Sequence, residues 1–305
     1  MARATKSTKT KPASETLEET VQILQIEKVH ATFYVLGSST LVMNRMMKKA
    51  REQLLLPPRR KNKAELAQTL KHDPIAEFHE SIYRCRDSAA PTLIHLPNGC
   101  FKKAIAQAAI DIPGATKAQI GRLVSIADPT VHLYGTPKLY MDVVRLAGPS
   151  RAPDIRTRAA FPRWACKVTV GYIRKLVTER DVLNLFAAAG VITGIGDGRP
   201  ERGARDNGQW ELVSANDPRW KAIVRQQGRA AQEAAMKAVD TLDADSEELL
   251  SWYKAEVIRR EQEPEAYADS GDDDALDTGA TDDFPIGAAE QAGATDRRGN
   301  SRKTT

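Results

Sequence analysis

Apolar and polar residues alternate most cleanly between Trp164 and Tyr172. Trp164, Cys166, Val168, Val170 and Tyr172 fall on one side, and Lys167, Thr169 and Gly171 on the other. That period of two is the mark of a strand with one buried face. A second alternation, Val29, Ala31, Phe33 and Val35 against His30, Thr32 and Tyr34, predicts a strand within residues 21–36, closed by Gly37. Shorter strand-like runs lie at Thr92–Leu96, Val131–Tyr134, Leu139–Leu146 and Gln209–Val213. Helical spacing marks 43–55, 63–71, Cys100–Ile110 and Thr116–Leu123. Thr178 opens a further helix, with Glu179 and Asp181 in its first turn and Gly190 at its end. Asp217-Pro218 starts a helix that reaches about residue 239, and Ser246 starts another that closes near Arg260. Residues 148–163, interrupted by Pro149, Pro153 and Pro162, read as an irregular excursion between strands.

Strands and helices interspersed in this way predict an α+β fold: an antiparallel sheet core of ferredoxin-like (RRM-like) type, with added helices and disordered termini. The expected organisation is a disordered basic arm at 1–20, an α+β body at 21–215, a helical extension at 216–260 and a disordered acidic tail at 261–305.

Charge sharpens that division. The net charge is +5 over 305 residues. Residues 1–14 hold four basic and no acidic residues, and residues 261–295 hold 11 acidic and no basic ones. A basic body with an acidic tail results, and basic bodies attract polyanions at long range. Such tails compete with nucleic acid or recruit partners. No apolar run approaches the ~18 residues of a membrane span, so no membrane association is expected. The basic N-terminus has no apolar region behind it and does not read as a secretory signal. Cys85, Cys100 and Cys166 are sparse and lack a Cys-x-x-Cys pair, which points to a reducing, cytoplasmic compartment.

Two constellations carry candidate chemistry. Arg145, Arg151, Arg156, Arg158, Arg163, Lys167, Arg174 and Lys175 crowd into 31 residues, interleaved with Phe161, Trp164 and Tyr172. Basic side chains track phosphates, and exposed aromatics stack on bases. The alternation equally permits Trp164 and Tyr172 to be core. The second constellation is a loop punctuated by Gly194, Gly196, Gly198, Gly203 and Gly208, with Arg199, Arg202 and Arg205 between them. It lacks Gly-Lys-Ser/Thr and leads into a strand, so it is neither a P-loop nor a dinucleotide fingerprint. It reads as a phosphate-backbone clamp or as an exposed hairpin loop. The five histidines show no metal-type pairing, and Asp142, Asp154 and Asp197 have no spacing that argues for Mg²⁺. No catalytic residue, cofactor or metal ligand is assigned.

The strand, helix, glycine loop and strand of 164–213 resemble the second half of a ferredoxin-like unit in the RAMP superfamily. That group includes the RNA-binding backbone and processing subunits of CRISPR effector complexes. Gly194, Gly196, Gly198, Arg199, Gly203 and Gly208, followed by Gln209–Val213, carry the likeness. The Arg-Pro-Glu-Arg insertion departs from it. The resemblance implies RNA or single-strand binding through loop and sheet face, with the early strand at 28–36 completing the unit. Thr281–Ile286, around Phe284, is similar to the acidic tip of bacterial single-stranded DNA-binding proteins, which implies a protein partner for the tail. The expected function is non-catalytic, sequence-tolerant binding of single-stranded DNA or RNA, with self-association. The alternatives are a structural or assembly protein of a virus or mobile element, and a metal-dependent nuclease.

Overall fold

A computed structural model describes residues 25–55, 72–145, 152–203 and 205–262. The basic arm, Arg151 and the acidic tail with Phe284 lie outside these residues. The described residues up to Ile258 form one compact unit; of the second unit, the described part is the end of a helix.

The first sheet is built on β1 (Lys28–Gly37) and β8 (Ala165–Ile173), which pair antiparallel from Lys28↔Ile173 to Leu36↔Ala165. On the far side of β1 lies β9 (Trp210–Val213). On the far side of β8 lie two short strands end to end, β4 (Val124–Ile126) and β5 (Thr130–Tyr134), and β3 (His95–Pro97) extends the sheet beyond β5. The order is β3-β5-β8-β1-β9 with β4 also on β8. Helix α3 (Asn98–Ala108) connects β1 to β4 and β5 by way of α4 (Lys117–Leu123), and α5 (Glu179–Ala188) connects β8 to β9. Two split β-α-β crossovers in one antiparallel sheet make a ferredoxin-like unit, and the α+β class expected from the sequence is the class observed.

Why the chain folds this way is visible in one aromatic cluster. The inward residues of β1 and β9 meet both crossover helices through Phe33, Phe101, Phe186 and Trp210. Their ring centroids lie 5.4–5.9 Å apart in edge-on geometry, the arrangement that aromatic quadrupoles favour. Thr178 caps α5 through a reciprocal box with Asp181. Gly190 does not end that helix as expected. The helix runs on as a π turn, Ala189–Thr193, and stops at Gly194. Gly190 serves packing instead: a Cβ there would come within 2.2 Å of the Trp210 carbonyl oxygen.

The second sheet has the order β2-β7-β6, from β2 (Leu41–Met43), β7 (Pro153–Phe161) and β6 (Lys138–Arg145). Residues 153–161 are therefore a nine-residue strand and not the irregular excursion expected. Pro153 stands at the strand's first position and Pro162 just beyond its last, where a missing N–H costs no ladder bond. Helix α2 (Pro74–Glu80) packs on this sheet, with α1 (Lys48–Gln53) preceding it in the chain. The residues expected to form a helix at 63–71 lie outside the described ones.

After β9 come α6 (Pro218–Gln226), α7 (Arg229–Lys237) and α8 (Ala244–Gln262). The single helix expected for 218–239 is broken at Gly228, which leads into α7. Helix α7 fixes the sheet edge through one side chain. Gln232, fully buried, accepts from the N–H groups of Leu93 and Ile94 at 2.8 and 3.1 Å and donates to the carbonyls of Leu133 and Gly135 at 2.7 and 3.0 Å. Gln232→Leu strands these four backbone groups. It is expected to lower unfolding free energy in urea by about 2 kcal/mol, and a loss below about 0.5 kcal/mol would show that the edge is held by other means.

Candidate functional site

The glycine loop closes over the second sheet. The Asp197 N–H donates to the Val42 carbonyl (2.9 Å) and the Gly208 N–H to the Thr40 carbonyl (2.8 Å). Beneath it the Arg158 guanidinium, buried in β7, donates to Asp142 at 2.9 Å and also to Asp197. Arg205 reaches across to the Tyr140 hydroxyl (2.6 Å) and Asp142 (2.8 Å). Arg199 is held by Glu201 at 2.7 Å and the Gly196 carbonyl at 3.1 Å. Burial alone would raise the Asp197 carboxyl. The Arg158 charge and hydrogen bond, with the Gly198 N–H and the Asn44 amide, outweigh it and hold the group below its ordinary value. Of the loop's three arginines, only Arg202 is exposed without an ion pair among the described residues. The loop is a tie between sheet and strand, with most of its charge neutralised in place.

The basic block divides. Arg158 and Trp164 are interior, Trp164 fully buried with its indole N–H on the Ser39 carbonyl at 2.8 Å. Tyr172 is buried too. Arg174 is exposed and paired with Glu27 at 3.1 Å. Lys175 is exposed beside it. Arg145 and Arg156 project from β6 and β7, Arg163 from the turn between β7 and β8, and Lys167 from the first half of β8, all exposed. Asp142 and Asp197 share Arg158, while Asp154 accepts from His72 at 3.0 Å. Among the described residues no group of three or more His, Cys, Asp or Glu is gathered as a metal ion would need.

The outer face of the first sheet carries what sequence reasoning missed. Side chains alternate across a sheet, so residues paired between strands share a face. Lys167 is opposite Tyr34 on β1. The register Leu133↔Cys166 brings His132 beside Lys167, and both line one cleft. His132 is opposite His95 on β3. His95 in turn lies 5.9 Å, centroid to centroid, from Tyr83 of the segment bridged to that edge, with the Arg45 guanidinium 6.0 Å over the Tyr83 ring. One row thus crosses the sheet: Tyr83, His95, His132, Lys167, Tyr34. At ~4.8 Å per strand it is roughly 19 Å long. Helix α6 caps only its last member, Trp220 standing edge-on to Tyr34 at 5.0 Å. Burial holds the His95 imidazole below its ordinary value, and the charges of His132 and Arg45 act the same way. The cysteines are quiet by comparison. Burial pushes the thiols of Cys85, Cys100 and Cys166 up, that of Cys100 to about 12.

Among the described residues no helix is long and apolar enough to cross a membrane. No protein-family model matches the chain, and no curated protein does. Among solved structures the chain is similar to the crystal structure of Cmr6 from Pyrococcus furiosus, at 10% identity and a TM-score of 0.31, covering 62% of this chain and all of that one.

Proposed function

We propose that this protein binds single-stranded nucleic acid on the outer face of its first sheet, without catalysis and with little sequence preference. The supporting observation is the cross-strand row of rings and cations that α6 leaves open. Tyr83, His95 and His132 offer flat surfaces on which bases of any identity stack. Lys167, without an ion pair among the described residues, meets a phosphate, and Arg163 extends the positive surface at the adjoining turn. Arg156, Arg145 and Arg202 lie on the second sheet and its loop and serve as further phosphate contacts along the strand's exit.

Fluorescence anisotropy of short labelled DNA and RNA single strands, titrated between about 50 and 200 mM salt, tests the reading. Affinity is expected to fall steeply with salt. Lys167→Glu is expected to weaken binding about tenfold and to flatten the salt dependence by about 0.7 in log–log slope, the value of one phosphate contact on a single strand. Binding that ignores both salt and Lys167→Glu sinks the assigned face. One observation favours the assembly reading instead: Leu176, Leu183, Val191 and Ile192, on and around α5, are all exposed. Nucleic-acid-free protein that sediments as a multimer and binds no strand would select it.

A further inference from the structure

We propose that His132 divides the open face into two adjoining nucleotide subsites, so that the unit recognised is a dinucleotide step; the proposal rests on the single-strand reading above. Two clefts, of about 400 and 410 Å³, meet here and share Thr130 and His132 in their walls. Each is at the small end of the roughly 300–1,000 Å³ typical of ligand pockets, a size suited to one nucleotide rather than a long polymer segment. The first cleft sets Lys167 beside the Tyr134 ring. The second sets Arg84 and Arg86 beside the His95 ring. Each therefore pairs cationic charge for a phosphate with a flat surface for a base.

The imidazole between them is oriented by its hydrogen bonds. His132 Nδ1 lies 3.0 Å from the Thr92 hydroxyl and 3.9 Å from Cys85 Sγ, and the same hydroxyl reaches the Ile94 carbonyl at 2.8 Å; with the hydroxyl donating to that carbonyl, its oxygen accepts from Nδ1. Neutral His132 thus carries its proton on Nδ1 and keeps Nε2 as a bare acceptor. Nε2 is then the ring's one polar atom left for a ligand, and it matches the amino or imino N–H of a base edge rather than a phosphate oxygen. The carboxylates at the rims fit the same division. Asp87 is engaged by the Ala89 N–H at 2.8 Å, and Asp128 adds a second acceptor for a base edge in the first cleft.

The test uses the full chain labelled with ¹⁵N-histidine, its five imidazoles assigned by single substitutions. The long-range ¹H–¹⁵N spectrum at neutral pH is expected to show His132 as the Nδ1–H tautomer. Added UpU is expected to move the His132 and His95 signals and leave those of His72 and His79 in place. UpU is expected to bind about tenfold more tightly than UMP, and His132→Ala to remove most of that difference while UMP changes less than about threefold; tenfold corresponds to about 1.4 kcal/mol. An Nε2–H tautomer, equal affinities for UpU and UMP, or shifts that spare His132 each overturn the proposal. A longer strand that binds in the anisotropy assay without moving His132 refutes the two subsites alone. A strand that does not bind at all refutes the single-strand reading, and the subsites with it.

Discussion

Arg158→Met is expected to lower folding stability by about 3 kcal/mol, although the arginine looks in the sequence like one more surface charge. The guanidinium is 6% exposed and stands between Asp142, 14% exposed, and Asp197, 36% exposed. Removing it leaves Asp197 without its cation and facing Asp142, which keeps Arg205. Breaking a buried pair by deleting one partner costs roughly 3–5 kcal/mol, and the lower end applies because solvent still reaches Asp197. The pH dependence distinguishes this from a packing loss. With Arg158 present the Asp197 carboxyl titrates below its ordinary range. The pair therefore stabilises the fold above the ordinary carboxylate range, and the contribution fades as pH falls through the depressed value. In Arg158→Met the depressing charge is gone and burial raises the group. The penalty is then greatest near neutrality and is relieved as Asp197 takes up a proton. Urea denaturation at pH 7 and near the unfolded carboxylate range, about pH 4, is expected to show the difference between wild type and variant shrinking on acidification. Exposed Arg156→Met is expected to change stability by less than about 0.5 kcal/mol. Equal losses from the two substitutions, or a loss independent of pH, would contradict the buried pair.

Gly208→Ala is expected to be more severe still, about 4 kcal/mol by thermal denaturation. Its φ is +69°, a conformation in which a side chain is strained, and an added Cβ would lie 1.8 Å from the carbonyl oxygen of Ile195. That carbonyl cannot retreat, because Ile195 N donates to Gly208 O at 3.0 Å and Gly208 N to Thr40 O at 2.8 Å. Gly203 provides the internal comparison. It has φ +65° but open space around it, so Gly203→Ala carries the backbone strain alone, about 1 kcal/mol. Equal effects at the two glycines would mean that the loop does not lock against Ile195.

How far these features were legible follows from their range along the chain. The strand at 164–173 declared itself because each of its core positions is apolar. The strand at 153–161 did not, because Thr157 and Arg158 are buried polar residues and break the alternation. Arg158 is held there by Asp142 and Asp197, and the Thr157 backbone N–H donates to Glu77, partners far away in sequence that no local pattern names. The glycines at 194–208 were visible as conformational necessities, but what they approach, Val42 and Ile195, depends on how the loop docks. The cross-sheet row was least visible of all. His95 and His132 sit on strands of three and five residues. Their juxtaposition is a matter of register between strands, which a single sequence shows only through the alternation of neighbours. The one available signal was that His132 and Tyr134 alternate with the buried Val131 and Leu133.

The break between β4 and β5 has a consequence for how the face can vary. Strand β8 carries both along one edge, Val124–Ile126 against Val170–Tyr172 and Leu133–Tyr134 against Ala165–Cys166. Only Ala127, Asp128 and Pro129 lie between them, and Pro129 brings no N–H to the gap. The first cleft is thus a notch where one continuous strand would otherwise fill the edge. Each flanking strand keeps its own register on β8, so residues added at 128–129 would deepen or wall off the notch without displacing Lys167 or His132. The shape of this face can change by loop length while the sheet beneath stays fixed.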